Sequence, residues 1–224
     1  MLNRPLRLLA SLGLLAGLTG CQVVHDVTID AISDRSKPMG ASYHLEVNDP
    51  TGGVEPALQN LAVSTIKDAL AARGLYEAPA NVRPDMLIEA SYAVGHGHVK
   101  IVTERNHDIL LGSAITANPS SKAVVVFDKT LEITAREPAP PAGAGDSRNP
   151  AQPGAELWSV KAKIVDTKQV MAPYLPPLAS ACIDYIGENP GREVVLPVDA
   201  AHAATLLQQR PPAQAAAEAV PQNR

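Results

Sequence analysis

Hydrophobic and polar residues alternate in several segments of the chain, which is the pattern of half-buried β-strands. The strands predicted on this basis cover residues 42–48, 85–94, 122–135, 156–167 and 192–198. Such alternation favours an antiparallel sheet with one buried face and one wet face. On the wet face, Glu132 is predicted to pair with Lys161 or Lys163 of a neighbouring strand. Pro197 predicts that the last strand lies at a sheet edge, because proline cannot donate a ladder hydrogen bond.

Two other segments have the longer period of amphipathic helices. In residues 55–74 apolar side chains recur at helical spacing, with Pro56 suited to the first turn and Gly74 to the position after the helix. Residues 176–187 carry a second apolar stripe that includes Cys182. The order of elements predicts the α+β class: a two-layer sandwich in which a mainly antiparallel sheet of about five strands carries two helices on one face.

The strand over residues 122–135 has one irregularity. Its inward positions are apolar, except that Lys129 interrupts them. The apolar inward positions are Val125, Phe127, Leu131 and Ile133. Residues 99–116 fit neither period throughout, and we expect one strand and an irregular excursion there.

Three segments have compositions that predict unstructured chain. Residues 137–155 are dense in Pro, Gly and Ala and almost lack large apolar side chains, so we expect a flexible insertion. Residues 200–224 are rich in Ala, Gln and Pro, which is typical of a disordered tail. Residues 21–40 are interpreted as a tether. The folded domain is therefore predicted to span residues 41–199.

The chain begins with the pattern of a secretory signal over residues 1–20. Arg4 and Arg7 precede an apolar run over residues 8–18. That run rises only about 16 Å as a helix, about half of a ~30 Å hydrocarbon core, so it is too short to span a membrane. We therefore expect the segment to be removed.

Leu18, Thr19, Gly20 and Cys21 follow the apolar run directly and resemble the lipobox of bacterial lipoproteins. The resemblance implies cleavage between Gly20 and Cys21 and attachment of lipid to Cys21, so the expected partner is a membrane. Gln22 stands where an aspartate favours retention in the inner membrane. The resemblance thus implies the outer membrane, with the domain facing the periplasm. The alternative is an ordinary signal peptide followed by an ordinary cysteine.

A wider resemblance covers residues 42–198. The helix ending in LAARG, the strand PDMLIEASY and the strand LWSVKAKIVDT resemble a broad family of bacterial lipoproteins that share a domain of unknown function. This resemblance implies a fold and a location but no activity, and the insertion at 137–155 departs from it. A more distant similarity is to the lipoprotein plug of lipopolysaccharide assembly.

Composition excludes some classes of function. The net charge is −4, and removal of Arg4 and Arg7 with the signal leaves 17 Lys and Arg against 23 Asp and Glu, or −6. Nucleic-acid binding needs clustered basic side chains, so no nucleic acid is expected as a partner. Once Cys21 carries lipid, Cys182 is the only thiol, and no intramolecular disulfide can form.

The stretch GHGHVK suggests one metal site. His96 and His98 are two residues apart, so in an extended chain both rings leave the same face and can ligate one zinc or copper ion. His107 and Asp108 can complete the site if the chain turns back. The alternative is a glycine-rich turn or bulge with solvated imidazoles. Two placed ligands are too few for a zinc site, so the sequence predicts no metal and no cofactor.

No catalytic motif is found in the sequence. It has no G-x-S-x-G elbow, no G-x-x-x-x-G-K-[ST] phosphate loop and no H-E-x-x-H. Cys182 lies on an apolar stripe, where a cysteine behaves as a small hydrophobe. We therefore expect a lipid-anchored envelope protein with a binding or scaffolding domain. The alternatives are a metal-dependent or hydrolytic envelope enzyme that uses the His96/His98 region, and an accessory of lipid or lipopolysaccharide transport.

Overall fold

The computed structural model describes residues 23–48, 55–104, 120–138 and 154–208. These residues form a mixed α+β fold with an eight-stranded sheet and three α-helices. The predicted class and the mainly antiparallel character of the sheet are confirmed. The predicted numbers of about five strands and two helices are wrong.

The predicted strands all begin and end within two residues of strands in the structure. The strands are β1 (Val24–Ser33), β2 (Ser42–Asn48), β3 (Tyr76–Glu77), β4 (Met86–Val94), β5 (His98–Glu104), β6 (Ser120–Arg136), β7 (Glu156–Asp166) and β8 (Val194–Asp199). The helices are α1 (Pro56–Ala72), α2 (Leu175–Cys182) and α3 (Ala200–Gln208). Short 3-10 turns, Ala172–Tyr174 and Ile183–Tyr185, flank α2.

The strand order is β3-β2-β4-β6-β7-β1-β8, and β5 pairs with β6 beyond the end of β4. β2 is parallel to β3 and β4, and the other pairs are antiparallel. In the sequence, α1 follows β2 and precedes β3 and β4. It supplies the crossover connection that parallel strands require. β8 is at the edge, which confirms the position predicted from Pro197.

Two segments predicted to be unstructured belong to the fold. β1 was assigned to the tether, but it pairs with both β7 and β8, and its Val27, Ile29 and Ala31 are buried. α3 was assigned to the disordered tail. It begins where the Asp199 side chain accepts a hydrogen bond from the Ala201 N–H at 2.9 Å, and its Leu207 is buried. Residues 209–224 and most of the 137–155 insertion lie outside the described residues.

One face of the sheet is buried, and the strand register shows which side chains share it. Val27 is opposite Ile164, which in turn is opposite Lys129. Two residues further along each strand, the next row across the same face contains Ile29, Ala162 and Leu131. All three helices contribute side chains to the cluster that covers this face, among them Ile66, Leu178 and Leu207. On the other face, Glu132 is opposite Lys161 at 3.5 Å between Oε2 and Nζ, as predicted.

Helix α1 ends as the sequence predicts. Gly74 has φ +92°, a conformation that residues with a Cβ rarely adopt. The Leu75 N–H donates to the Leu70 carbonyl at 3.0 Å, which satisfies a carbonyl of the last helical turn. Leu75 is thereby returned to the core, where it is buried.

β6 is longer than its neighbours on both sides. Its pairing with β7 stops at Phe127, opposite Asp166, and its pairing with β4 stops at Lys129, opposite Val94. Residues 120–126 of β6 pair with β5 alone. We call this two-stranded ribbon, residues 98–104 and 120–126, the arm, and the other described residues the body.

Candidate functional site: the arm and its base

The arm presents an apolar face to solvent. In antiparallel pairs, residues directly opposite each other share a face, so Val99 with Val125 and Ile101 with Ala123 form one surface. Val99, Ile101 and Val125 are 66%, 71% and 53% exposed. We call these four residues the apolar face of the arm.

This face continues the buried face of the body. Side chains alternate along a strand, so Ala123 and Val125 point to the same side of β6 as Leu131 and Ile133, which are buried. Val125 was predicted to lie inward, and it does lie on the inward side. The prediction that it is covered is wrong, because the surface of the arm remains open beyond the body.

The other face of the arm is partly cationic. Lys100 is opposite Val124, and Lys122 is opposite Val102. Both lysines are exposed. Neither outer edge of the arm is paired with another strand within the described residues, so its outward backbone N–H and C=O groups are left to solvent or to a partner.

A β-bulge separates β4 from β5. Val94 is opposite Lys129, and His98 is opposite Val126, so four steps on one strand match three on the other. The Gly95 N–H donates to the Asp128 carbonyl at 2.7 Å within this irregularity. A bulge is the alternative that the glycine-rich stretch suggested, and bulges increase local strand twist.

Gly97 lets an aromatic ring lie against the backbone at the bulge. A Cβ at this position would lie 2.9 Å from Cε1 of Phe127 and 3.1 Å from Cγ1 of Val125. The first distance is shorter than real Cβ contacts and the second is unusually tight, so a larger residue at this position requires the Phe127 ring to shift. Phe127, the last β6 residue that pairs with β7, thus lies against the backbone of Gly97.

The structure does not combine His96 and His98 into a ligand pair. The extra residue of the bulge removes the regular alternation on which the prediction depended. The nearest acidic partner of His98 is Asp128, with 3.9 Å between Nε2 and Oδ1. His96 is exposed. Among the residues that the structure describes, no three His, Cys, Asp or Glu side chains lie close enough to hold a metal ion. His107 and Asp108 lie outside these residues.

Lys129 stabilises the base of the arm. It is fully buried, and its Nζ donates to the carbonyls of Phe127 at 3.2 Å and Asp166 at 2.9 Å. These two residues are the last pair of the β6–β7 ladder. The ammonium therefore satisfies carbonyls at the point where β7 ends and β6 continues into the arm. The sequence marked Lys129 only as an interruption, since the end of β7 relative to β6 was not predicted.

Aromatic rings surround the Lys129 ammonium. The Tyr174 ring centroid lies 4.8 Å from Nζ and the Phe127 centroid 5.8 Å, which are cation–π distances. The ring of His25 lies 5.2 Å from that of Tyr174. This group of side chains joins β1, β6 and the turn after β7. No sequence pattern predicts the contact between Tyr174 and His25, because it depends on strand order.

Burial and pairing act in opposite directions on the charges at the base. Burial lowers the pKa of Lys129, although Asp166 and Asp128 partly offset this effect. Burial alone would raise the pKa of Asp166, but hydrogen bonds from the Lys168 backbone and the Tyr174 side chain, with nearby Lys129, lower it overall. The pKa of Tyr174 is raised by burial and by the same hydrogen bond to Asp166. The charged Asp166 therefore accepts hydrogen bonds from two donors at the base of the arm.

Of the two cysteines, only Cys182 lies within the described residues. Cys182 is fully buried, and burial raises the pKa of its thiol to about 12, as its place on an apolar stripe predicted. Cys21 and Gly20, the predicted lipid attachment and cleavage positions, lie outside the described residues. Within the described part of the chain no helix is long and apolar enough to cross a membrane.

Comparisons with known proteins give only remote structural likenesses. No protein-family model matches the chain, and no curated protein is similar to it. A PDZ domain protein from Parabacteroides distasonis matches 80% of this chain with 14% identity and a TM-score of 0.42, and this chain spans 39% of that protein's length. The PelC dodecamer from Paraburkholderia phytofirmans matches 83% of this chain and 99% of its own, with 15% identity and a TM-score of 0.31. Both scores are too low for either likeness to carry an argument about fold or function.

Proposed function

We propose that this protein is a lipid-anchored protein of the bacterial outer membrane, facing the periplasm, and that its domain binds or scaffolds through the arm without catalysing a reaction. The anchor is the lipid on Cys21 that the lipobox resemblance implies. The observation that carries the binding role is the exposed apolar face of the arm. Val99 and Ile101 are among the most exposed large hydrophobic side chains of the described residues. Clustered exposed apolar side chains mark interaction sites.

The geometry of the arm also supports a binding role. A two-stranded ribbon is only marginally stable by itself in water. Lys129 donates to two carbonyls at the base of this ribbon, and no strand among the described residues pairs with its outer edges. Recognition by strand addition uses such an edge, with backbone hydrogen bonds giving affinity.

In this proposal the helices α1, α2 and α3 cover one face of the sheet, as the two-layer interpretation requires. Support comes from the strand register, in which most of the buried side chains of β1, β4, β6 and β7 share one face. The opposite face, with Glu132 and Lys161, is then a second free surface for scaffolding.

The exposed apolar face of the arm also supports one alternative function. An accessory of lipid or lipopolysaccharide transport also needs an exposed apolar surface, and the apolar face of the arm is favourable for it. The enzyme alternative gains no such support, since His98 is directed to Asp128 and His96 to solvent.

The anchor is tested by metabolic labelling with a fatty acid. We expect label in the full chain and none after Cys21→Ser, because the acyl chains require the thiol. Labelling of the variant would contradict the attachment site.

The binding role is tested by a photo-crosslinking amino acid placed at Ile101 in the native envelope. The same amino acid at Val82 is the control, because Val82 is similarly exposed but lies between β3 and β4, at the opposite end of the sheet. We expect adducts from position 101 and none from position 82. Equal yields of adduct, or none from position 101, would contradict a binding role for the arm.

A further inference from the structure

We propose that the apolar face of the arm rests on the phospholipid surface that holds the protein's own lipid anchor. This inference rests on the proposed attachment of lipid to Cys21 and names the partner of the arm. The inference combines three features of the described residues: the end of the sheet at which the chain enters, the two faces of the arm, and the location of exposed apolar residues.

The chain enters the fold at the same end of the sheet from which the arm projects. Val27 of β1 is level with Ile164 and, across β7, with Lys129. Going back from Val27 toward the start of β1 at Val24 therefore leads in the same direction as going from Lys129 into the arm. Only Gln22 and Val23 lie between Cys21 and Val24. Three extended residues span at most about 10 Å, so the anchor is held at the arm's end of the sheet.

The arm has the chemistry of a surface-seated amphipathic element. Its apolar face contains only aliphatic side chains, whereas the other face combines Lys100 and Lys122 with Val102, Val124 and the buried Val126. Lysine stems can lie along an apolar boundary while the ammonium reaches lipid phosphates. The unpaired backbone edges require water or headgroups, because hydrocarbon cannot satisfy them. The arm is thus suited to the headgroup region and not to the hydrocarbon core.

Exposed hydrophobic side chains are concentrated at this end of the body as well. Of the thirteen large ones in the described residues, eight lie at or near the arm's end of the sheet. They are Val23, Val24, Val99, Ile101, Val102, Val125, Val165 and Val170. Val99, Ile101 and Val125 lie on one face of the sheet, whereas Val24, Val102 and Val165 lie on the other. The first group is therefore the one that can contact a bilayer as a single surface.

A second copy of the chain can also cover the arm by pairing edge to edge. That arrangement does not require the arm to be near the anchor, so the position of Cys21 favours the bilayer. The experiment below treats a second copy as an outcome that overturns the proposal.

The test uses the full acylated chain in vesicles of phosphatidylethanolamine and phosphatidylglycerol. Ile101→Cys and, as the matched control, Val82→Cys each receive a fluorescent label. Cys182 is buried, which shields its thiol from the label. Quenching is measured with iodide in the water and with nitroxide groups on the lipids. We expect the label at position 101 to be quenched severalfold more by nitroxide lipids, and severalfold less by iodide, than the label at position 82.

Each other result overturns a defined part of the account. Iodide quenching as strong at position 101 as at position 82 places the arm in water and overturns the inference. Protection from iodide without nitroxide quenching shows that protein, such as a second copy, covers the arm, and also overturns it. The mass of the N-terminal peptide reports acylation separately. An unacylated chain overturns the proposed anchor and the inference with it, whereas an acylated chain with its arm in water overturns the inference alone.

Discussion

The body and the arm share strand β6, yet isoleucine has opposite environments in them. Ile133 of β6 is fully buried, whereas Ile101 of β5 is 71% exposed, and both lie on the continuous inner side of the sheet. Ile133 belongs to the cluster of buried side chains to which all three helices contribute, whereas Ile101 does not. Alternation therefore fixes the side to which a residue points, while burial depends on a second layer.

The largest effect should come from Ile133→Ala compared with Ile101→Ala. We expect the first change to lower the free energy of unfolding by about 2–5 kcal/mol, because it removes buried methyl groups and leaves a cavity. The second should alter it by less than about 0.5 kcal/mol. Urea unfolding of the two variants measures both values. A comparable loss from Ile101→Ala would mean that the arm is covered within one chain.

Burial in the body should also appear as sensitivity to alkaline pH. Burial raises the pKa of Cys182 from 9.0 to about 12. Between these values the unfolded thiol is ionised and the folded one is not, so stability falls as pH rises, by about 1.4 kcal/mol per pH unit from this group. We expect Cys182→Ala to lose stability less steeply across this range. Parallel curves for the two proteins would show that the thiol is not buried.

Substitutions of two lysines, one at the base and one in the arm, should differ in their effect on stability. Lys129→Met removes the donor for the carbonyls of Phe127 and Asp166, and we expect a loss of about 1–3 kcal/mol. Lys122→Met, on the exposed face of the arm, should change stability by less than about 0.5 kcal/mol. The measurement is again urea unfolding. Equal small effects would contradict the role of Lys129 at the end of the β6–β7 ladder.

The smallest expected effect on stability comes from the ion pair on the exposed face of the body. Glu132 and Lys161 lie 3.5 Å apart, and both side chains are about half exposed. A double-mutant cycle with Glu132→Gln and Lys161→Met should give a coupling of about 0.2–1 kcal/mol that weakens with salt. A larger coupling that does not depend on salt would show that this face is covered.

The sequence predicted those elements whose pattern was both long and regular. α1 and the five predicted strands were located because their periodicity covers several residues. β1 carries the same alternation, with Val27 and Ile29 buried, but it was assigned to the tether because it follows the lipobox so closely. β3 consists of only Tyr76 and Glu77, too few residues for a pattern. α3 was missed because its composition resembles that of the tail that follows it.

The candidate site was less predictable than the fold. The stretch GHGHVK lies at the base of the arm, where the candidate site is. The bulge there removes the predicted alignment of His96 with His98. The exposure of Val99 and Ile101 depends on where β4 and β7 stop relative to β6, and no single-strand pattern contains that information. Lys129 interrupts the apolar pattern of its strand, so the sequence shows that it is unusual. Its role at the end of the β6–β7 ladder depends on the strand order that places Asp166 and Tyr174 beside it.

Amide hydrogen exchange of the acylated full chain tests the central proposal, that the protein is anchored to a membrane and contacts it through the arm. Exchange is compared between dilute protein on phospholipid vesicles and the same protein in detergent. The account predicts slower exchange on vesicles in residues 98–104 and 120–126, with unchanged exchange in β1 and β7. Equal exchange of the arm in both conditions, or slowing confined to the β8 edge, would contradict it.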